Sequence, residues 1–258
     1  MPGDALIGYT GFVGGNIAAQ HTFAAQYNTK NIQDIDGQEY DLVVSAATYA
    51  EMWKINQDPE GDLAQINGLI EHLKQVKTRR FVLISTVGVY KQPNGSDEDT
   101  PIELEGLAPY GVNRYHLEQF VQDNFDNALI VRLPGLFGQG LKKNVIFDLL
   151  NNNMVEKIHA AGTYQYYNLA NIWKDINVAL DNSLKVINFA TEPVRTDEVA
   201  AYCFGMDDFA QEPEGINPAF WDMHSKHAAL FGGTGPYLYS KQQVLDDIKA
   251  FVEQERNK

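Results

Sequence analysis

The stretch Leu6-Ile7-Gly8-Tyr9-Thr10-Gly11-Phe12-Val13-Gly14-Gly15 is where residue types and spacing first point to chemistry. An apolar run stops at Gly8 and an amphipathic segment opens near Val13, which predicts a strand, a tight glycine turn and a helix. Glycines at 8, 11 and 14 let the backbone come close to a pyrophosphate. The helix start supplies N–H groups and a partial positive charge. The spacing is G-x-x-G-x-x-G and not the commoner G-x-G-x-x-G, so by itself it describes only a phosphate cradle. Two further groups could act beside it. Ser85 and Thr86 are hydroxyls closing an apolar run, and Tyr110 and Arg114, four residues apart, share one face of a predicted helix.

The elements that must position these residues follow in chain order. Phe23–Tyr27 reads as a second strand. Tyr27-Asn28-Thr29-Lys30-Asn31 carries no carboxylate where a ribose-binding acid is expected. Asn28 and Thr29 can bond a ribose and Lys30 can pair with a 2′-phosphate, so NADP stands ahead of NAD. Asp41–Ala47 is a buried strand whose small ends, Ala46 and Ala47, leave room for a ligand. A helix is expected over Asp62–Val76, with Leu63, Ile66, Leu69, Ile70 and Leu73 on its apolar stripe. Arg80–Thr86 is the next strand, and a polar loop with the acidic run Asp97-Glu98-Asp99 reads as solvated. Pro109 opens a helix to about Asn124, and Ala128–Leu133 is a strand closed by Pro134 and Gly135.

This alternation predicts an α/β doubly wound parallel sheet, whose ligands sit beyond the carboxyl ends of the strands. The glycine loop, Ala46–Ala47, Ser85–Thr86 and Gly135 all fall there. Beyond Gly140 the pattern loosens. Helices are expected at 144–150 and 172–183, a strand at 186–190, a helix capped by Thr196 through Cys203, and an amphipathic closing helix over 240–255. The expected division is a dinucleotide-binding core over 1–140 and a smaller, interleaved α/β region over 141–258.

Composition narrows the function. A net charge of −14 argues against nucleic acid, whose phosphates need a basic face. No apolar run approaches the ~20 residues of a membrane span and no signal peptide is evident, so no membrane partner is expected. The single cysteine, Cys203, excludes an internal disulfide and fits a cytoplasmic location. Its apolar surroundings give it a structural role. His224 and His227 stand three apart with no third ligand in pattern, so no metal site is expected. Lys226 and Arg195 are candidates to meet a diphosphate.

With these residues in view, the chain resembles the extended short-chain dehydrogenase/reductases of the NAD-dependent epimerase/dehydratase type, which act on nucleotide sugars and have a Rossmann fold. The resemblance rests on Gly8-x-x-Gly11-Phe12-x-Gly14, on Asp41–Ala47 as D-x-V-x-x-x-A, and on Ser85-Thr86-Val87-Gly88-Val89-Tyr90. It is completed by Arg132-Leu133-Pro134-Gly135-Leu136-Phe137-Gly138, where Gly135 replaces an asparagine. It implies a cofactor, NADP or NAD, held by Gly8, Thr10, Gly11, Phe12, Val13, Gly14, Asn28, Lys30, Ala46, Ala47, Ser85, Tyr110, Arg114 and Pro134. It implies Tyr110 as acid/base, Thr86 as partner of the reacting oxygen, and Asn67 as a support. Arg114 stands where the family has lysine; arginine keeps the charge and can still reach ribose hydroxyls but cannot relay a proton. The implied activity is epimerisation or keto-sugar reduction, with a catalytically silent dinucleotide-binding sensor as the alternative. The resemblance also implies a homodimer through the helices at 62–76 and 109–124. Their expected outward residues, Glu71, Lys74, Gln75, Glu118, Gln119 and Gln122, are polar.

Overall fold

The structure is a computed structural model and describes residues 2–258. The chain divides into two compact units. The first takes in residues up to Gln92, Asp99–Leu133 and Asn171–Ile187; the second takes in Pro93–Glu98, Pro134–Ala170 and Asn188–Lys258. The units are therefore threaded through one another in sequence, and no single cut near residue 140 separates them.

The first unit is built from β1 (Asp4–Ile7), α1 (Phe12–Ala18), β2 (Ala25–Tyr27), β3 (Glu39–Ser45), α2 (Met52–Gln57), α3 (Pro59–Leu73), β4 (Lys77–Thr86), α4 (Pro109–Asn124) and β5 (Ala128–Leu133). The second unit contributes β6 (Gly135–Phe137), α5 (Val145–Asn151), β7 (Thr163–Tyr164) and β8 (Tyr166–Asn168). The chain then returns to the first unit as α6 (Ile172–Asp181), followed by β9 (Val186–Asn188). It ends in the second unit with β10 (Val194–Arg195), α7 (Thr196–Phe204) and α8 (Lys241–Arg256).

One six-stranded sheet runs β2-β1-β3-β4-β5-β9. The pairings of β1 with β2 and β3, of β3 with β4 and of β4 with β5 are all parallel. β4 and β5 carry continuous buried runs, Phe81–Ser85 and Ala128–Leu133, as a strand covered on both faces requires. The chain reverses direction across the sheet between β1 and β3. In open α/β sheets this switch point, at the carboxyl ends, is where ligands bind. Helices α3 and α4 pack on the β1–β5 core through Ile66, Ile70, Leu73, Leu117 and Val121.

Helix α3 starts three residues earlier than expected. Pro59 takes the first helical position and the Asp58 carboxylate accepts from Gly61 N at 3.0 Å. That start places Asp62 in the first turn on the inward stripe with Ile66 and Ile70. Asn67 is exposed and meets His116 at 3.0 Å, away from the expected support role. Glu118, expected to face outward, is fully buried.

The second unit has its own core, in which Phe137, Tyr166, Val199 and Cys203 pack against Val244, Ile248 and Phe251 of α8. Strand β6 lies parallel to β8, and β7 antiparallel to β10. A Cβ at Gly135 would stand 2.7 Å from Gln165 O, which is why glycine occupies this position. Thr196 does not cap α7: it is the first helical residue, and its hydroxyl donates to Gly162 O at 2.9 Å. Arg195 holds the cap position, its N–H donating to Glu198 Oε2 at 3.0 Å. Glu98 is no solvated loop acid either, since it accepts from Asn188 N, Ser225 Oγ and Lys226 N at 2.7–2.9 Å.

Candidate functional site

The glycine loop closes tightly at the switch point. Gly8 has φ +87°, and a Cβ there would lie 2.4 Å from Ala46 O and 2.9 Å from Ala47 Cα. The carboxyl ends of β1 and β3 thus meet at Gly8. A Cβ at Gly14 would lie 2.1 Å from Gly8 O, so the helix can dock on the strand only without a side chain there. Gly11 differs, because its added Cβ would meet only Gly8 O, at 3.3 Å. The packing of the loop demands glycine at 8 and 14 and barely at 11, which is the N-cap of α1. Thr10 and Gly11 are exposed, while Phe12 and Val13 are half-buried. The first turn of a helix leaves its N–H groups without intrahelical acceptors.

The loop after β2 is shaped by Asn28. Its Oδ1 accepts from Lys30 N at 2.8 Å and its Nδ2 donates to Tyr9 Oη at 3.1 Å. The side chain expected to bond a ribose is thus occupied in tying this loop to the glycine loop. Lys30 is exposed, and its ammonium has no ion-pair partner among the described residues.

Thr86 ends β4. Its Oγ1 accepts from Gly88 N at 3.0 Å, which leaves the hydroxyl proton free to donate. A Cβ at Gly88 would lie 3.0 Å from Tyr110 Cε1 and 3.3 Å from Thr86 Oγ1. The hydroxyl and the tyrosine ring therefore flank one glycine. Tyr110 sits in the first turn of α4, with its N–H donating to Asn56 Oδ1 at 3.0 Å. Its own hydroxyl bonds to no described residue.

Arg114 is engaged by its neighbours in the fold. It is 2% exposed and its Nη1 and Nη2 donate to the two carboxylate oxygens of Asp62 at 2.9 and 3.0 Å. Nη2 also donates to Tyr49 O at 2.6 Å, and Asn113 Nδ2 donates to Asp62 Oδ2 at 2.9 Å. The guanidinium carbon stands 4.8 Å from the centre of the Tyr110 ring. The cation lies against the ring and is held from α3, and Nε is left buried without a partner. Asp62, Asn113 and the Tyr49 carbonyl were missed in the sequence, although an acid on the inward stripe of a helix is itself a signal of a buried partner.

Ser85 is likewise engaged elsewhere. Its hydroxyl donates to Glu118, which also receives Arg132 Nη2 at 2.6 Å, while Arg132 Nη1 donates to Tyr90 Oη at 2.7 Å. The Glu118 carboxylate beside it holds the Arg132 guanidinium firmly charged, well above the usual arginine range, against the effect of burial. This network ties α4 to β4 and β5. Pro134 begins a segment of the second unit and is half-buried. Arg195 is occupied by Asp197 at 2.5 Å, and His224 faces Asp222 at 3.5 Å. No group of described residues could hold a metal ion, and no helix of the described chain is long and apolar enough to cross a membrane.

The sequence profile of the NAD dependent epimerase/dehydratase family matches residues 20–175. The chain belongs to that family. No curated protein matches it by sequence. Among solved structures, this epimerase/dehydratase-family chain is similar to a dTDP-4-dehydrorhamnose reductase from Clostridium acetobutylicum, with TM-score 0.74 and 14% identity over 98% of this chain and 99% of that one. It is similar to an NAD dependent NDP-hexosamine 5,6-dehydratase involved in tunicamycin biosynthesis, with TM-score 0.74 and 15% identity over 100% and 99%. It is also similar to a UDP-glucose 4-epimerase from Thermotoga maritima, with TM-score 0.68 and 16% identity over 99% of each. At such identities these likenesses show the fold. The family itself is one of NAD(P)-dependent enzymes.

Proposed function

We propose that the chain is an NAD(P)-dependent nucleotide-sugar epimerase or keto-sugar reductase with Tyr110 as acid/base. The observation that carries this reading is the pairing of Thr86 and Tyr110 across Gly88, each with a hydroxyl hydrogen that no described residue accepts. One hydroxyl can orient a reacting oxygen while the other exchanges its proton.

The glycine cradle, with Gly11 exposed, fits a dinucleotide. Gly8, Thr10, Gly11, Phe12, Val13 and Gly14 would hold its pyrophosphate, with Ala46 and Ala47 giving room beside it. Lys30, exposed and without an ion-pair partner among the described residues, would meet a 2′-phosphate, which favours NADP over NAD in this reading. The nicotinamide, when bound, supplies the hydride acceptor or donor. Asn28 positions the loop and Arg114 braces Tyr110, so neither is assigned to the ribose. The second unit serves as the substrate-binding part in this reading.

A second reading, a silent dinucleotide-binding protein, is favoured by one observation: Asp62 holds the cation stacked against Tyr110. The two are separated by assaying the wild type and Tyr110→Phe with NADPH, NADP⁺ and a panel of UDP-, dTDP- and GDP-sugars. Turnover lost with Tyr110→Phe supports the enzyme. Dinucleotide binding with no turnover on any sugar overturns it in favour of the silent protein.

A further inference from the structure

A cleft opens at the amino ends of the central strands, within the first unit and at the opposite end of the sheet from the glycine loop. Its volume is about 980 Å³, and it lies between the amino-terminal half of β4, the turn from α4 into β5 and the turn from α6 into β9. Small-molecule sites are of this size. We propose that the cleft binds an oligophosphate, a ligand with a chain of two or more phosphoryl groups, and takes no part in the chemistry at Tyr110.

The cleft exists because β4 outruns its neighbour. Ala128, the first residue of β5, pairs with Phe81, so residues 77–80 project beyond it while still pairing with β3 on their other side. The projecting residues are Lys77, Thr78, Arg79 and Arg80, the densest basic run in the chain. Successive strand residues point to opposite faces, so cations stand on both faces of this projection. Lys185, from the turn into β9, adds a fourth cation and is placed by its Nζ donating to Asp126 O. Four of the 20 lysines and arginines thus line one cleft of a protein with net charge −14.

Three carboxylates line it too. Asp41 is matched by Arg79 Nη1 at 3.2 Å, Asp4 meets His21 Nε2 at 2.8 Å, and Asp126 is the third. Lys77, Arg80 and Lys185 have no carboxylate within ion-pair distance among the described residues. These three cations come from two separate elements, so a ligand that meets them all must carry its own charge along a chain. A single phosphate would meet one exposed cation, where an ion pair contributes little. A guanidinium also offers each phosphoryl group two parallel N–H donors. Arg80 stands six residues before Thr86 on β4, roughly 20 Å along an extended strand, which separates this cleft from the glycine loop.

Cations on a projecting strand can also serve only to discourage pairing with other chains, and that account requires no ligand. The test is calorimetric titration of the full chain with inorganic tripolyphosphate, at low and high salt, with excess NADP⁺ to occupy the glycine loop. One tripolyphosphate per chain is expected, bound more weakly at high salt. Arg80→Gln should weaken it roughly tenfold, and adding Lys77→Gln and Lys185→Gln should abolish it, while Lys30→Ala leaves it unchanged. Tripolyphosphate should raise the Tm of the wild type and leave that of the triple variant unmoved. Adenosine triphosphate distinguishes two sources of the same chemistry: binding no tighter than tripolyphosphate means that the phosphate chain alone is held, and tighter binding means that a nucleoside is held with it. Both uphold the site. Absence of binding, binding intact in the triple variant, loss of binding in Lys30→Ala, or citrate binding as tightly as tripolyphosphate overturns it. If the triple variant fails to fold, Arg80→Gln and Lys185→Gln decide singly: unchanged affinity in both overturns the site.

Discussion

Arg114 lies against the ring of Tyr110 and is gripped by Asp62, with both residues of the ion pair at 5% exposure or less. A buried carboxylate and guanidinium make a modest net contribution as a pair, because desolvation offsets their attraction. Removing one partner leaves the other charged and unmatched. Arg114→Met should therefore destabilise the chain by ~3–5 kcal/mol. Asp62→Leu combined with Arg114→Met should recover most of that loss. Urea unfolding of the three proteins measures both values, and a double variant as weak as the single one would show that the pair matters for packing alone.

The three glycines of the loop should separate by experiment. Gly14→Ala puts a Cβ 2.1 Å from a backbone oxygen, and Gly8→Ala adds the strain of φ +87° to a 2.4 Å contact. Each should cost on the order of 1–3 kcal/mol or more. Gly11→Ala meets one oxygen at 3.3 Å and should fold nearly as well as the wild type, yet weaken dinucleotide binding. Thermal unfolding and dinucleotide titration of the three variants check this; normal affinity in Gly11→Ala would remove the ligand explanation of that glycine.

Much of the sheet was legible because buried parallel strands are written as apolar runs closed by small residues. Asp41–Ala47 and Arg80–Thr86 needed no tertiary knowledge to place. The convergence of Gly8, Ala46 and Ala47 followed from the same rule. What stayed hidden were partners far apart in sequence. Spacing alone could show that Tyr110 and Arg114 share a helix face. It could not show that Asp62, fifty-two residues away, would hold the guanidinium. Glu118 failed to read correctly for the same reason. A polar side chain on an inward stripe looks outward until its partner, here Arg132, is placed beside it. Residues 205–240 carry isolated bridges and one 3₁₀ turn at Ala228–Phe231, which have no periodicity to detect.

Cys203 should be inert in the folded protein. Burial pushes its thiol from 9.0 up to about 12, and its Sγ lies 3.4 Å from Leu245 O as a donor. Because the folded value is raised, the stability linked to this proton is fully present below about pH 9 and is lost as pH rises toward 12. Disulfide-exchange reagents should label Cys203 in urea and leave the native protein unlabelled. Rapid native labelling at pH 8 would contradict the buried, protonated thiol.

Lys30 should control which dinucleotide is preferred. An exposed ammonium facing a 2′-phosphate contributes on the order of 1 kcal/mol, or about fivefold in affinity. Lys30→Ala should weaken NADP by that factor and leave NAD unchanged, and the difference should shrink with added salt. Competition binding at two ionic strengths reads it directly; equal weakening of both dinucleotides would place Lys30 outside the phosphate's reach.

Thr86 and Tyr110 should be separable by their effect on the chemical step. Thr86→Val keeps the volume but removes both the acceptor for Gly88 N and the free hydroxyl donor. Loss of one aligned donor at a reacting oxygen lowers kcat by roughly 10²–10³-fold. Tyr110→Phe removes the proton itself and should lower kcat by about 10²–10⁴-fold, with the ring still resting on Arg114. Both should leave dinucleotide affinity close to the wild type, since neither is needed for the cradle. If the two hydroxyls serve one reacting oxygen, the double variant should be far less impaired than the product of the single losses. Steady-state kinetics on all four proteins settles it: losses that multiply would mean that Thr86 and Tyr110 act on different atoms, and the shared position across Gly88 would then be a feature of packing.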